Sequence, residues 1–194
     1  MLRYFIIFKP YQVLSQFSSE GGKKTLADFF NVPKNVYPVG RLDYDSEGLL
    51  ILTNDTQLNH RLLSPSNKHE RKYWVQVEGE INDEAIIKLS SGVTISIDGK
   101  AHTTLPAKAS LMKMDPDVPE RVPPIRFRKN VPVSWISLSL IEGKNRQVRR
   151  MTASVGYPTL RLIRYSIERI TIQGMQSGDI KEIDRNEIFE KIFK

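Results

Sequence analysis

An arginine and two carboxylates lie close together on a short segment that is bounded by glycines. Arg41, Asp43 and Asp45 occupy the stretch between Gly40 and Gly48. Because glycine tolerates positive φ angles, such a loop can turn tightly and hold its side chains above the apolar strand that follows it. A carboxylate held in this way can act as a nucleophile or as a general base. An ordinary turn with solvated charges has the same pattern.

Residues 141–151 form a second segment that could take part in the chemistry, and their pattern predicts a helix with one basic face. We expect this helix to begin near Asn145 and to end at Gly156, which Pro158 follows closely. Because residues three and four apart share a helix face, basic and apolar side chains are expected on opposite sides. The basic set is Arg146, Arg149 and Arg150, and the apolar, core-facing set is Val148, Met151 and Val155. A merely solvated helix face would look the same.

Taken with other segments, these two stretches resemble the pseudouridine synthases of the RsuA/RluB/RluE/RluF family, and in particular its RluE branch. Four segments look like the N-terminal, catalytic, tyrosine and arginine motifs of the family, in that order: Phe8–Gln16, Gly40–Asp55, Arg71–Val75 and Glu142–Met151. Three further segments resemble the RluE branch: Pro123–Arg126, Ser134–Trp135 and Pro158–Tyr165. The resemblance extends over about residues 2–175.

The resemblance implies an α+β fold, with a mixed, mainly antiparallel sheet in two α+β halves and the catalytic cleft between them. We therefore expect residues 1–194 to form a single catalytic domain. Relatives often carry a small RNA-binding domain of the S4 type before this domain. The chain starts at the first strand of the catalytic domain, so we expect no S4 domain. Residues 184–194 are expected to form an additional C-terminal helix that packs on the surface.

The resemblance also assigns roles at the catalytic centre. Asp43 matches the family's nucleophile or base, Arg149 matches the arginine that pairs with it, and Tyr73 matches the tyrosine that stacks on the target uracil. Spacing alone does not choose between Asp43 and Asp45. An ionised carboxylate that is screened from water needs a cationic partner, and a guanidinium can supply one in a bidentate geometry.

A uridine in folded RNA must leave its stack before it can react, so the enzyme also needs contacts to the surrounding RNA. By resemblance, Arg41 is the residue that can enter the vacated position. The remaining expected RNA contacts are Lys9, Lys144, Arg146, Arg150, Arg126 and Arg128. The last two lie in a proline-rich stretch, residues 114–132, that we expect to be a long loop beside the RNA.

The distribution of charge favours a nucleic acid as the partner. The net charge of the 194-residue chain is +7, and its pI is about 9.6. Eleven Lys or Arg against three acidic residues lie between Glu120 and Arg169, so this region alone has a net charge of +8. A concentrated basic region suits a phosphate backbone. No amphipathic Lys-rich helix with an aromatic face favours a membrane surface instead.

The composition argues against several other kinds of site. The chain has no Cys, which excludes disulfides and thiolate metal sites and is compatible with the cytoplasm. Its three histidines do not have metal-ligand spacing. The first eight residues are too short an apolar run for a signal peptide, and no run reaches membrane-spanning length. The reaction implied by the resemblance needs no cofactor and no metal.

We therefore expect an isomerase that converts a specific uridine of ribosomal RNA, from the large (23S) subunit, to pseudouridine, and we expect it to be a monomer. One alternative is the same activity on small-subunit rRNA or tRNA. Another is an RNA-binding assembly factor that retains the fold without catalysis. The joint presence of Asp43, Tyr73 and Arg149 favours the enzyme, because a binding module would not need them.

Hydrophobic periodicity predicts a strand-rich chain with five helical segments. The expected strands are residues 3–8, 49–53, 71–78, 93–97, 107–114, 133–141, 160–165 and 167–172. The expected helices are residues 25–30, 55–63, the stretch from Asn82 to Gly92, and the basic helix described above, together with the C-terminal one. Asn54 or Asp55, Asn82 and Asp184 are the expected N-caps.

Overall fold

The computed structural model describes residues 1–125 and 131–193, which form two compact units. The N-terminal unit consists of Met1–His69 and Ile163–Lys194, and the central unit consists of Glu70–Leu162. The strands and α-helices, in chain order, are β1 (Tyr4–Lys9), β2 (Tyr37–Pro38), β3 (Glu47–Thr53), α1 (Thr56–Leu63), β4 (Arg71–Glu78), α2 (Asp83–Ser91), β5 (Thr94–Ile97), β6 (Lys100–Thr103), β7 (Lys108–Leu111), β8 (Val133–Leu140), α3 (Gln147–Ser154), β9 (Thr159–Ile167), β10 (Ile170–Thr171), β11 (Ile180–Glu182) and α4 (Arg185–Phe193).

The N-terminal unit is built on strand β1, which pairs antiparallel with β3 on one side and with β11 on the other. The start of β3 pairs in parallel with the middle of β9, so the sheet is mixed. Every residue of β1 and β3 is buried, as expected for strands that are covered on both faces. The core of this unit consists of Phe5, Ile7, Val13, Leu26, Phe30, Val36, Leu50 and Leu52.

The central unit contains an antiparallel arrangement in which β8 pairs with β4 and with β7. A separate two-stranded hairpin is formed by β5 and β6. The second half of strand β4 alternates between buried and partly buried residues, with Val75 and Val77 in the core. Helices α2 and α3 contribute to the same core, which consists of Val75, Val77, Ile81, Ala85, Leu89, Ile95, Ile136, Leu138, Leu140, Val148, Met151 and Leu162.

Two helices begin at the N-caps that the sequence predicts. The Asp55 carboxylate accepts hydrogen bonds from the backbone N–H groups of Gln57 and Leu58, and the Asn82 side chain accepts one from Ala85. These caps satisfy amide groups that the helix itself leaves unpaired. The hydroxyl of Tyr4 also donates to Asp55, at 2.7 Å, which ties helix α1 to strand β1.

The C-terminal helix α4 packs within the N-terminal unit through both apolar and cation–aromatic contacts. Ile188 and Ile192 are buried. The guanidinium of Arg61 lies 3.7 Å from the centroid of the Phe193 ring, and Phe189 meets Tyr4 edge-on. These contacts stabilise the helix against the unit rather than leaving it in solvent.

The observed elements confirm an α+β fold with a mixed, mostly antiparallel sheet. Three short strands, β2, β6 and β11, are not among the sequence predictions. The basic helix α3 begins at Gln147 rather than at Asn145, because Arg146 has a φ of 51° and lies outside the helical region. Within the described residues, no helix combines the length and the hydrophobicity that crossing a membrane would require.

Candidate active site

The loop that carries Asp43 connects β2 to β3 in the N-terminal unit. Gly40 has a φ of +71° and Gly48 one of +106°, so both ends of the loop use conformations that favour glycine. A Cβ atom on Gly48 would lie 2.8 Å from the amide nitrogen of Arg164, and closer still to its carbonyl oxygen. Glycine at position 48 therefore allows strand β3 to approach β9 closely at the point where the loop ends.

Three hydrogen bonds hold the backbone of the loop on either side of Asp43. The N–H of Ser46 donates to the carbonyl oxygen of Asp43 at 3.0 Å, which closes a turn over residues 43–46. The hydroxyl of Ser15 bonds to both backbone groups of Leu42, the residue before Asp43. Asp43 itself is partly buried, so its carboxylate lies at the boundary between protein and solvent.

A buried cluster of charged side chains lies beside this loop. Lys9 is completely buried, and its ammonium group donates to the carbonyl oxygens of Pro10 and Val13, both at 2.8 Å. Burial lowers the pKa of Lys9 to about 7, although the carboxylates of Glu47, Asp43 and Asp45 act to raise it. An ammonium group among three carboxylates offsets part of the cost of placing those charges away from water.

The guanidinium of Arg164 belongs to the same cluster. Arg164 and Glu47 are both buried, and Nε of Arg164 donates to the carbonyl oxygen of Leu49 at 2.8 Å. Its charge acts against that of Lys9 and lowers the pKa of the lysine further. Arg161 is also buried, and it donates to the carbonyl oxygen of Pro119. Two arginines of the predicted basic region are thus interior groups, not part of a basic surface.

The structure changes the interpretation of Lys9. The sequence analysis places this lysine among the RNA contacts, but it has no exposed surface and both of its observed hydrogen bonds are to backbone carbonyls. We therefore do not include it in the proposed RNA contacts. Arg41, in contrast, is exposed on the loop that carries Asp43. Tyr44, next to Asp43, is covered by the ammonium group of Lys23 at 5.4 Å from the ring centroid.

Tyr73 and Arg149 lie in the central unit, on elements that share one hydrophobic core. Tyr73 is a partly buried residue of β4, paired with Leu138 of β8, and it packs against the core of the unit. Helix α3 is anchored in the same core by Val148 and Met151, which are buried as predicted. Arg149 is partly buried, and its Nη1 lies 3.5 Å from the carbonyl oxygen of Thr159.

The segment before α3 is held by a network centred on Glu142. Its carboxylate accepts from the N–H of Leu105 at 2.7 Å, from the side chain of Gln147 at 2.6 Å, and lies 3.3 Å from Nε2 of His102. Gln147 in turn accepts from the N–H of Lys144 at 2.9 Å. This network sets the start of the arginine helix, and the spacing of the sequence did not predict it.

The remaining predicted RNA contacts differ in their surroundings. Lys144 and Arg146 are exposed, and Arg146 precedes α3 in a left-handed conformation. The guanidinium of Arg150 instead donates to the carbonyl oxygen of Ser96 in β5 and lies 3.4 Å from the Asn145 side chain. Arg126 and Arg128 lie outside the described residues. Within residues 1–125 and 131–193, no group of three or more His, Asp or Glu is placed to hold a metal ion.

Comparison with known proteins identifies several relatives of this chain. Residues 3–154 match the family model described as RNA pseudouridylate synthase. The chain is 52% identical over 182 residues to "Ribosomal large subunit pseudouridine synthase E" of Vibrio parahaemolyticus, covering 93% of this chain and 74% of the relative. It is 49% identical to the protein of the same name from Xanthomonas campestris, covering 89% and 91% of the two chains. A crystal structure of a pseudouridylate synthase superposes with a TM-score of 0.78 at 27% identity, covering 98% of this chain and 74% of the other.

Proposed function

Because the chain belongs to the RNA pseudouridylate synthase family, we propose that it converts one uridine of large-subunit (23S) ribosomal RNA to pseudouridine. The observation that supports this substrate most strongly is the 52% identity, over 93% of the chain, to a relative named for that reaction. Ribosomal RNA is made in the cytoplasm of bacteria, so the proposal places the enzyme there. The proposed enzyme is a monomer of 22.3 kDa.

The reaction is an isomerisation, and it needs a carboxylate rather than an external reagent. The bond between N1 of uracil and C1′ of ribose breaks, the base turns, and C5 bonds to the same C1′. The proton of C5 leaves and N1 gains one, so no atom is lost or added overall. An ionised Asp43 can act by addition to the base or by promoting departure of the base from the sugar. Both routes require the carboxylate to be held in one orientation.

The fixed backbone of the loop around Asp43 supports the proposal that Asp43 is the reacting carboxylate. The turn closed by Ser46, the hydrogen bonds of Ser15 to Leu42, and the close approach at Gly48 hold the backbone on both sides of the residue. A group that is held in place loses little entropy when it reacts, which is a main source of rate enhancement. Arg149 is the proposed partner of the Asp43 carboxylate, and Tyr73 is the proposed residue that stacks on the target uracil near the C5 proton.

Arginines and lysines are the proposed contacts to the rest of the RNA. Arg41 is proposed to fill the position that the flipped uridine leaves, since it is exposed two residues before Asp43. Lys144, Arg146, Arg126 and Arg128 are the proposed backbone contacts. Arg150, whose guanidinium bonds to the β5–β6 hairpin, is proposed to act by holding that hairpin as well as by its charge.

The experiment that tests the function is release of tritium from transcripts labelled at C5 of uridine. The wild-type protein is mixed with large-subunit rRNA, small-subunit rRNA and tRNA in parallel. Release from large-subunit rRNA alone, at about one tritium per transcript, supports the proposal, and sequencing of the product then locates the uridine. Release from one of the other RNAs would reassign the substrate. Binding to all three without release would favour the RNA-binding alternative. Light scattering at the assay concentration measures the molar mass in solution and so tests whether the protein is a monomer.

A further inference from the structure

One serine side chain holds both backbone groups of the residue that precedes Asp43. The hydroxyl of Ser15 donates to the carbonyl oxygen of Leu42 at 2.7 Å and accepts from the N–H of Leu42 at 3.0 Å. Ser15 is only 8% exposed, so water does not compete freely for these bonds. The two residues are 27 positions apart in the chain, and the contact therefore joins two separate segments of the N-terminal unit.

The segment that carries Ser15 is itself firmly anchored. Val13 is completely buried in the core, and its carbonyl oxygen accepts from the Lys9 ammonium at 2.8 Å. The N–H of Leu14 donates to the carbonyl oxygen of Lys24 at 2.9 Å, and the carbonyl oxygen of Gln16 accepts from Leu26 at 2.8 Å. The backbones of the residues on either side of Ser15 are thus fixed by hydrogen bonds. The Ser15 hydroxyl is therefore held in place where it meets the loop that carries Asp43.

On the other side of Asp43 the loop is also fixed. The carbonyl oxygen of Asp43 accepts from Ser46, and Gly48 is already part of the parallel pairing with Arg164. The peptide units on either side of Asp43 set the position of its Cα atom and the direction of its Cα–Cβ bond, from which the carboxylate extends. The two hydrogen bonds of Ser15 hold the N–H and the carbonyl oxygen of Leu42, because rotation of the Leu42 backbone would break at least one of them.

We propose that Ser15 is a positioning residue for the reaction: its hydroxyl fixes the backbone at Leu42 and thereby the direction of the Asp43 carboxylate. The inference rests on the proposed function, in which Asp43 is the reacting group. Without the hydroxyl, the folded protein keeps its RNA-binding surface, but the carboxylate samples directions that do not lead to reaction. A displacement of about 1 Å can reduce an enzymatic rate by roughly a hundredfold.

The test compares Ser15→Ala with Ser15→Thr, which restores a hydroxyl, and with Ser18→Ala, an exposed serine of the same segment. The measurements are the single-turnover rate of tritium release, the Kd for RNA and the thermal unfolding of each variant. For Ser15→Ala we expect the rate to fall by roughly tenfold to a hundredfold while the Kd is unchanged. The rate of Ser15→Thr should return towards that of the wild type, and Ser18→Ala should match the wild type. A Ser15→Ala rate equal to that of the wild type, or no recovery in Ser15→Thr, would overturn the proposal.

Hydrogen exchange of the Leu42 amide gives a readout that does not depend on activity. The proposal requires this loop amide to be protected in the wild type, because it donates to a buried hydroxyl, and to exchange faster in Ser15→Ala. If Ser15→Ala does not fold, hydrogen exchange of the wild type still tests the proposal, since an unprotected Leu42 amide would show that Ser15 does not hold the Leu42 backbone. A wild type that releases no tritium from any RNA would refute the proposed function instead, so the two failures are distinguishable.

Discussion

Replacing Gly48 by alanine should disturb the junction between the Asp43 loop and the sheet. The added Cβ would lie 2.8 Å from the amide nitrogen of Arg164, 3.0 Å from its carbonyl carbon, and closer still to its carbonyl oxygen. These are backbone atoms of a paired strand, which cannot move aside as a flexible side chain could. The φ of +106° is a second source of strain, because residues with a Cβ rarely adopt it.

The two effects can be given an order of magnitude. Holding a non-glycine residue in a sparsely populated conformation costs about 1–3 kcal/mol. Overpacking against a well-fixed neighbour costs about 1–3 kcal/mol more. We therefore expect Gly48→Ala to lower the free energy of unfolding by about 4 kcal/mol, which corresponds to a fall in Tm of roughly 8–16 °C for a chain of this size.

Gly174→Ala is the matched control for this experiment. Gly174 lies in the same unit and has a φ of +75°, but a Cβ there would have no atom within 4 Å. Alanine at this position therefore has the cost of a positive φ but no steric overlap of its Cβ atom with neighbouring atoms. Urea and thermal unfolding of both variants separate the two contributions. If Gly48→Ala were no less stable than Gly174→Ala, the close approach of Gly48 to Arg164 would not constrain the loop, and our account of its rigidity would be refuted.

Three further predictions concern charge. The folded pKa of Lys9 is about 7, below its ordinary 10.5, so between these pH values the unfolded chain holds one more proton than the folded chain. The free energy of unfolding should therefore rise with pH across this window by as much as about 5 kcal/mol. Urea unfolding of Lys9→Met should lack that rise, and an equal dependence on pH in the wild type and the variant would contradict the prediction. Glu142→Ala should cost about 1–3 kcal/mol, because Leu105 and Gln147 lose their acceptor, and an unchanged Tm would contradict this. In salt titrations of RNA binding, Arg146→Ala should lower the slope of log K against log salt concentration by about one, and Arg150→Ala should lower it by less. A larger effect of Arg150→Ala than of Arg146→Ala would remove Arg146 from the proposed RNA contacts.

The elements that local sequence determines were predictable. Strand β4 was predicted with its observed bounds, because its apolar residues alternate and no proline or glycine interrupts them. The cap at Asn82 was predicted from residue type, and Asp55 is one of the two residues, with Asn54, that were expected to cap α1, since short polar side chains accept from the first turn of a helix. The apolar face of α3 was also correct, with Val148 and Met151 in the core.

Features that depend on contacts between distant segments were not predictable. Lysine is almost never fully buried, so nothing in the sequence indicated that Lys9 is an interior group. The same holds for Arg164, which the local charge count assigned to a basic surface. The bond between Ser15 and Leu42 joins residues without any shared local pattern. The left-handed conformation of Arg146, which delays the start of α3, has no signal in its residue type either.

Some chemistry could be located only by resemblance to a family. The spacing of residues 40–48 does not choose between Asp43 and Asp45, since both lie on the same turn and both are partly buried. Both carboxylates also act on the pKa of Lys9 in the same direction. The choice of Asp43 therefore rests on the resemblance, and the hydrogen bonds at Leu42 and Ser46 agree with it because they hold the backbone on either side of that residue.

The most direct test of this account is tritium release from C5-labelled large-subunit rRNA by Asp43→Asn, with Asp45→Asn as the matched control and Kd for RNA measured on both. The account predicts that Asp43→Asn binds RNA as the wild type does and releases no tritium in a single turnover, whereas Asp45→Asn still releases it. Release by Asp43→Asn at the wild-type rate, or loss of release in Asp45→Asn alone, would contradict the assignment of Asp43 as the reacting carboxylate.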